Sequence, residues 1–209
     1  MSEGKGIYIF GYSGHSYVII ESLMELGYSV LGYFDLRQAN VNPHNLPYMG
    51  SDGQPDIKDV VKNDFVFPAV GDAKIRMRLI HLFRERNLRQ LVVIDPSAIV
   101  SKSASIGSSS YIGRGAIVNA FAQLGDGCIV NTNAVVEHEC VVGSGVHIAP
   151  GSVICGGVKL GDAVMIGANS VVRQGLRMVD EVCIGAGSVV VKNVDVSGTY
   201  FGNPVKLKP

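Results

Sequence analysis

Charged residues are scarce in this sequence, and neither sign predominates. Only 17% of the 209 residues are charged, and 18 lysines and arginines balance 18 aspartates and glutamates. A net charge of zero gives no electrostatic reason to expect a nucleic acid or an anionic membrane as partner. No apolar run approaches the roughly 20 residues that cross a bilayer, and no signal peptide opens the chain. We therefore expect a cytoplasmic protein that is not inserted in a membrane.

Cysteine is rare as well. No two of the cysteines have the C-x-x-C spacing of a zinc or redox site, and all four lie in the second half of the chain: Cys128, Cys140, Cys155 and Cys183. Reduced thiols are the best interpretation in a cytoplasmic protein. Because 47% of the residues are apolar, a full core can form without disulfides or a metal. We expect no metal cofactor.

What the sequence does have is a six-residue repeat that begins near Ile99 and runs to about Val196. Every sixth residue is aliphatic without an insertion: Val100, Ile106, Ile112, Val118, Leu124, Val130, Val136, Val142, Ile148, Ile154, Leu160, Ile166, Val172, Met178, Ile184, Val190 and Val196. A period of six fits neither the 3.6 residues of a helical turn nor a two-residue alternation. It is the period of a hexapeptide β-helix, in which short parallel strands wind into stacked coils.

Three hexads make one triangular coil, so the 17 repeats predict nearly six coils. At about 4.8 Å per coil, the prism is roughly 27 Å tall. One aliphatic residue per face fills the interior, and each coil contacts only its neighbours. The aliphatic positions are therefore scaffold, and function must come from residues that depart from the pattern.

The N-terminal stretch has the opening pattern of a Rossmann-like half. A buried strand, Ile7–Phe10, is followed by a glycine-containing turn, Gly11–His15, by an amphipathic helix, and by a second strand, Ser29–Phe34, that ends at Asp35. The third glycine of a dinucleotide fingerprint is missing. The pattern therefore suits a phosphate at a helix N-terminus without specifying a dinucleotide. Asp35 is either a contact to a ribose or base, or the cap of a turn, which is the more frequent role of a lone aspartate.

The rest of the first half completes a small α/β domain. We predict a short helix at Ile57–Lys62, a third strand at Phe65–Val70, a helix at Ala73–Arg86 and a fourth strand at Leu91–Ile94. Asp95-Pro96-Ser97 marks the junction, which divides the chain into residues 1–95 and 96–209. The tail after Val196 should fold over the last coils.

The densest group of polar departures from the repeat surrounds His138 and Glu139. Their spacing from Val136 places both at or near a corner of the prism, pointing outward. A histidine there can act as a base, with the carboxylate holding its tautomer. The alternative is an exposed histidine without function. His147, nine residues on, raises the possibility of a metal site, but a suitably placed third histidine is missing.

Four motifs carry a resemblance to a known family. G-Y-S-G-H at Gly11–His15, G-D-A-K-I-R at Gly71–Arg76, V-V-E-H-E-C at Val135–Cys140 and G-N-P-V-K at Gly202–Lys206 resemble the bacterial nucleotide-sugar N-acetyltransferases of bacillosamine and perosamine pathways. Sialic acid O-acetyltransferases are related to these. The resemblance spans both domains and implies a left-handed β-helix, acetyl-CoA as donor, and a homotrimer with active sites between neighbouring β-helices. It also implies that the N-terminal domain holds the acceptor nucleotide sugar.

The resemblance assigns roles residue by residue. His138 looks like the base, Glu139 like its partner, and Asn131 like a residue beside the acceptor amine. Contacts to the sugar nucleotide would come from Ser13, Gly14, His15, Asp35 and Gly71, and contacts to CoA from His147, Ala168, Ala186, Gly202, Asn203, Pro204 and Lys206. The chain departs from the family pattern at Leu36, where a second acidic residue is common, and at Ser16, where a glycine is common.

Several functions stay open at this point. A UDP-linked 4-amino-4,6-dideoxy sugar, acetylated for a bacterial surface glycan, is the favoured substrate. O-acetylation of a sugar hydroxyl would use the same fold and base. A metal-dependent or non-catalytic β-helix protein would bind zinc or lack CoA affinity. An NAD-dependent dehydrogenase would need the third glycine and a different catalytic domain.

Overall fold

The computed structural model describes residues 5–54 and 56–208. The N-terminal domain has a four-stranded parallel sheet in the order β2-β1-β3-β4. Its elements are β1 (Lys5–Phe10), α1 (Gly14–Glu25), β2 (Tyr28–Phe34), α2 (Ile57–Val61), β3 (Phe65–Pro68), α3 (Ala73–Glu85) and β4 (Arg89–Gln90). The predicted Rossmann-like half is therefore confirmed. No helix of the described ranges has the length and apolarity needed to cross a membrane.

Alternate residues of β1 serve two separate cores, as the two-residue period of a strand requires. Ile7 and Ile9 face α1 and the β-helix. Tyr8 and Phe10 face α2 and α3. One side of the sheet therefore holds the N-terminal domain against the rest of the molecule.

The second half is a parallel β-helix with three faces. Its strands are β5 (Val93–Ile94), β6 (Ile99–Val100), β7 (Ser105–Ile106), β8 (Tyr111–Ile112), β9 (Ile117–Val118), β10 (Gln123–Leu124), β11 (Ile129–Val130), β12 (Val135–Val136), β13 (Val141–Val142), β14 (His147–Ile148), β15 (Val153–Ile154), β16 (Lys159–Leu160), β17 (Met165–Ile166), β18 (Val171–Val172), β19 (Arg177–Met178), β20 (Val182–Ile184) and β21 (Val189–Val190). Every third strand belongs to the same face. We name them the docking face (β5, β8, β11, β14, β17, β20), the aliphatic face (β6, β9, β12, β15, β18, β21) and the polar face (β7, β10, β13, β16, β19).

The six-residue repeat predicted the interior correctly from Ile112 to Val190, where these side chains fill one continuous core. The last position is wrong, because Val196 is 60% exposed. Val194 is buried instead and bridges to Met178. The chain leaves the hexad register after β21, so the final inward residue comes two positions early.

The predicted fourth strand of the sheet is also wrong. Val93–Ile94 pairs with β8 and opens the docking face of the β-helix. Arg89–Gln90 provides the fourth strand of the N-terminal sheet. The β-helix starts without a linker, so its first strand directly follows the last strand of the N-terminal sheet and is mistaken for that strand in the sequence.

The outward residues differ from face to face. On the docking face, Val93, Tyr111 and Ile129 are buried under the N-terminal domain. The aliphatic face presents only β-branched residues, which are exposed or half-buried in the described part of the chain: Ile99, Ile117, Val135, Val153, Val171 and Val189. The polar face presents Ser105, Gln123, Val141, Lys159 and Arg177.

The C-terminal tail lies on the last coil, as expected, and does so by extending the docking face. β22 (Gly198–Gly202) pairs in parallel with β20, and β23 (Val205–Leu207) returns antiparallel to β22. The tip of this hairpin therefore stands at the end of the prism, beside the turn that leads from the docking face to the aliphatic face.

Candidate active site

The sequence-predicted site residues fall into separate groups on the chain. One group lies where the N-terminal domain meets the docking face. Asn131 follows β11 at the corner between the docking and aliphatic faces, and His147 points outward from β14 one coil further on. His15, near the start of α1, faces His147 across the domain junction.

Asn131 and His147 form a hydrogen-bonded pair with a defined orientation. The Oδ1 atom of Asn131 accepts the backbone N–H of Thr132 at 2.8 Å. The amide nitrogen Nδ2 is thereby left to donate to Nε2 of His147 at 3.2 Å. The backbone of Gly71, in the loop after β3, lies close enough to His147 to raise the pKa of the imidazole slightly against the effect of burial.

Both histidines at this junction are uncharged at neutral pH. Burial lowers the pKa of His147 to about 3, and the guanidinium of Arg76 and the ring of His15 act in the same direction. Burial, assisted by Arg76, lowers the pKa of His15 to about 4. Neutral imidazole is what the Asn131 contact requires, because protonated Nε2 could not accept the amide N–H.

The ring of His15 lies 6.1 Å from that of His147 and packs edge-on to Tyr111 at 5.9 Å. Its Nε2 atom is buried without a hydrogen-bond partner. Most buried polar atoms are paired, so this nitrogen has unused capacity for a ligand atom or a water. The role that the resemblance gives to His15, a contact to the acceptor, stays a prediction.

Arg76 is the residue of this region that sequence reasoning missed. Its side chain is 1% exposed and donates to four backbone carbonyls: Val70, Gly71, Gly127 and Gly145, at 2.7–2.9 Å. Two of these belong to the loop before α3 and two to turns of the β-helix. No carboxylate in the described part of the chain forms a salt bridge with it, so carbonyl dipoles are its direct partners. Burial lowers the pKa of Arg76 to about 10, and the charge of Asp72 partly offsets that effect.

His138 and Glu139 form a second group, in the turn between β12 and β13. The Nδ1 atom of His138 lies 3.1 Å from Oε2 of Glu139, and both side chains are more than half exposed. The carboxylate favours a proton on Nδ1, which leaves the lone pair of Nε2 free to accept one. The predicted outward corner position is confirmed.

One chain cannot bring the two groups together. The turn that carries His138 joins the aliphatic and polar faces, which is the corner opposite the docking face where the N-terminal domain sits. Asn131 belongs to the same coil, at the other edge of the aliphatic face. The two residues therefore stand at equal height on the prism but at different corners.

A cleft of about 200 Å³ opens at the carboxyl ends of β1 and β2, the usual ligand position of an open parallel sheet. Ser13 and Asp35 line it, together with the Asp52–Arg78 ion pair. The Asp35 carboxylate accepts the backbone N–H groups of Tyr12 and Leu36, at 2.9 and 2.7 Å. Asp35 therefore caps the turn and also lines the cleft, and its contact to a ribose or base stays a prediction.

All but one of the residues that the resemblance assigns to CoA share one edge of the prism. Ala168 and Ala186 lie one above the other in turns between the docking and aliphatic faces, above the turn of Asn131. The tail hairpin reaches the same edge, since Gly202 N–H donates to Oγ of Ser188. Small side chains leave this edge open for an extended ligand. His147 does not lie on the open edge, because it is turned into the domain junction.

Comparisons with known proteins cover both halves. The model described as PglD N-terminal domain matches residues 6–83. The model described as bacterial transferase hexapeptide (six repeats) matches residues 121–156 and 139–174. No curated protein matches in sequence. PerB from Caulobacter crescentus, solved with CoA and GDP-perosamine, is 33% identical with a TM-score of 0.91, over 98% of this chain and 97% of that one.

Two further solved structures have the same extent of similarity. A single-residue variant of the GDP-perosamine N-acetyltransferase from Caulobacter crescentus, with CoA and GDP-perosamine, is 31% identical with a TM-score of 0.90, over 98% and 97% of the two chains. The acetyltransferase domain of PglB from Neisseria gonorrhoeae FA1090, with acetyl coenzyme A, is 30% identical with a TM-score of 0.90, over 98% and 100%. This chain belongs to the nucleotide-sugar N-acetyltransferases.

Members of the nucleotide-sugar N-acetyltransferases need no enzyme nucleophile if the acceptor amine attacks directly, and the thiols of this chain fit that requirement. Cys140, two residues after His138, is fully buried and donates to the carbonyl of Cys155. Burial raises the pKa of the Cys140 thiol, so it is a core residue, as the repeat predicted. No group of three potential metal ligands occurs among the described residues.

Proposed function

We propose that this protein transfers the acetyl group of acetyl-CoA to the 4-amino group of a nucleotide-linked amino-deoxy sugar. The observation that carries the proposal is the His138–Glu139 pair. This pair places a nitrogen that is free to accept a proton at an exposed corner of the prism. The chain is similar over nearly its full length to one protein solved with CoA and GDP-perosamine and to another solved with acetyl coenzyme A.

The chain's own residues account for the proton movements. The neutral amine forms a bond to the thioester carbonyl carbon, the carbon–sulfur bond breaks, and a proton from the amine passes to Nε2 of His138. Glu139 stabilises the imidazolium that forms. The same proton is then available for the departing thiolate. A backbone N–H of the coil would stabilise the oxyanion of the tetrahedral intermediate.

We further propose a homotrimer whose active sites lie between neighbouring chains. The aliphatic face, six β-branched side chains long, supports this, because an apolar surface of that extent favours a closed, symmetric assembly. Ile129, the outward residue of β11, does not contribute to such a surface, because it is 2% exposed under the N-terminal domain.

Three-fold symmetry about the aliphatic face would also complete the site. The two edges of this face carry His138 and Asn131, and a rotation about an axis along the prism leaves heights unchanged. One chain's His138 would then lie level with the next chain's Asn131. The cleft beside Asp35 and the open edge with Ala168 and Ala186 would supply the acceptor and donor sites.

The substrates suit a cytoplasmic enzyme that supplies a bacterial surface glycan, with a UDP-linked 4-amino-4,6-dideoxy sugar as the first candidate. A panel of UDP-, GDP- and dTDP-linked amino sugars, tested for thiol release from acetyl-CoA, identifies the acceptor. We expect one nucleotide series to dominate, with an amide product by mass spectrometry. An ester product would establish O-acetylation instead, and no thiol release with any member of the panel would contradict the proposal.

A further inference from the structure

Gly156 lies in the turn after β15, one coil beyond His138 and in the same position of that turn. The imidazole of His138 extends along the prism over this glycine. A Cβ atom built on Gly156 would lie 2.5 Å from both Cε1 and Nε2 of His138. Carbon atoms do not approach that closely, so the ring occupies the space that a side chain at residue 156 would need.

The fold itself does not require a glycine here. Gly157, the next residue, has a φ of +67°, in the left-handed region that favours glycine, although the equivalent turn position one coil earlier holds Glu139 at a φ of +58°. Gly156 has no such φ, and equivalent turn positions of other coils hold Ala120 and Gln174. The absence of a side chain at residue 156 therefore has an explanation only in what lies above it, which is the ring of His138.

We propose that Gly156 is a positioning residue for His138: its missing side chain lets the imidazole keep the Glu139 contact while Nε2 stays open to the substrates. This inference rests on the proposed function for the role of His138. The contact is made by the ring's outer atoms, so an added methyl group would turn the ring aside rather than disrupt the coil. Turning the ring would break the Nδ1–Glu139 contact and cover or redirect Nε2.

The test compares Gly156→Ala, His138→Ala and the double variant, with Gln174→Ala as the matched control in the same turn position. We expect Gly156→Ala to be folded and to have kcat lowered about tenfold or more, up to the roughly 10²–10⁴ that loss of the base itself is expected to cost. The KM values of acetyl-CoA and of the amino sugar should change little, and Gln174→Ala should behave like the parent. In the double variant kcat should equal that of His138→Ala, because a residue that acts through His138 has no effect once the ring is gone.

A second readout needs no substrate. In ¹⁵N-labelled protein, the ring signals of His138 are identified by their loss in His138→Ala. Gly156→Ala should change them and leave those of the exposed His81 unchanged. Unchanged His138 signals, a parental kcat in Gly156→Ala, or a further fall of kcat in the double variant would each overturn the positioning role. A parental kcat in His138→Ala would instead contradict the base assigned under the proposed function, while the ring signals still report on Gly156.

Discussion

At the scale of single residues, the chemistry depends on His138 having one nitrogen engaged and one free. General-base catalysis is typically worth about 10²–10⁴ in rate, so His138→Ala should lower kcat by that order. The trimer should persist, because an exposed corner side chain adds little to the core. The KM of acetyl-CoA should change little. Glu139→Ala should lower kcat by a smaller factor than His138→Ala, since the carboxylate only orients and polarises the imidazole ring.

Steady-state kinetics with thiol detection, with sedimentation as the check on assembly, measures both variants. A folded, trimeric His138→Ala that keeps more than about a tenth of the parental kcat would show that His138 is not the base.

The two junction histidines make stability depend on pH. His15 and His147 have pKa values lowered to about 4 and about 3 in the folded chain, against about 6.5 when unfolded. Between these values the unfolded state binds more protons, so stability is full above pH 6.5 and falls on acidification. At pH 5 each histidine should reduce the free energy of unfolding by about 2 kcal/mol.

Urea unfolding at pH 7 and pH 5, at one protomer concentration, measures this loss. In His147→Gln the difference between the two pH values should shrink by about 2 kcal/mol. His81→Gln is the control, since that side chain is exposed. Burial raises the pKa of Asp95, but hydrogen bonds from Ser22 and Ser97 outweigh that effect, so its pKa is lowered. Asp95 therefore changes the free energy of unfolding only at a lower pH than the two histidines do. A pH dependence that His147→Gln leaves intact would refute this account.

At the scale of elements, α3 is fixed to the β-helix by one buried guanidinium. Arg76→Met removes the donor to four carbonyls, and unsatisfied buried acceptors cost about 1–3 kcal/mol each. We expect the free energy of unfolding to fall by about 3 kcal/mol or more. Arg84→Met, on the same helix, removes a largely exposed ion pair with Asp126 and a long hydrogen bond to Ser108, and should lower the free energy of unfolding by less than about 1 kcal/mol. Equal losses in the two variants would contradict the role of Arg76.

The sequence predicts elements well where a period repeats and poorly where one residue reaches a distant partner. The hexads predict the interior residues because the coils repeat, so that every sixth side chain points into the core and is aliphatic. Arg76 falls outside such reasoning: its carbonyl partners at Gly127 and Gly145 are 51 and 69 residues away. The helical period suggests Ile75 on the inner face, yet Ile75 is 45% exposed, because α3 turns the guanidinium inward instead.

For the candidate site, too, the sequence predicts the positions that the repeat fixes and misses the contacts that depend on the docking of the N-terminal domain. The corner position of His138 and Glu139 follows from counting along the repeat. The burial of His147 beneath the N-terminal domain, 6.1 Å from the ring of His15, does not follow, because it depends on how a separate domain docks. The space beside Gly156 is likewise visible only once the rotamer of His138 is known.

At the scale of the whole molecule, the aliphatic face should hold the trimer. Val153→Lys places a charge in the middle of that face and should yield a folded monomer of 22.2 kDa by sedimentation at micromolar concentration. Gln123→Lys, on the polar face, should leave the trimer intact. A stable monomer in the parent protein would count against active sites between chains.

Mixed trimers test the shared site directly. His138→Ala and Asn131→Ala trimers are each expected to be impaired, and exchange of subunits between them should restore part of the activity. Some sites then combine an intact His138 with an intact Asn131 from the neighbour. Exchange between His138→Ala and Glu139→Ala should restore none, since both residues come from the same chain. Activity that never recovers in the first mixture would place the whole site within one chain.

The coil also limits how the length of this protein can change. Each face recurs every 18 residues, because three hexads complete one circuit. An insertion or deletion of 18 residues outside the site would alter only the height of the prism, and all later side chains would return to their faces. A change of six residues keeps the interior aliphatic but moves every later side chain one face onward. An insertion of six residues before residue 131 would move His138 to the corner between the polar and docking faces, beside the N-terminal domain. This β-helix can therefore change its length by whole coils without displacing His138, but not by single hexads.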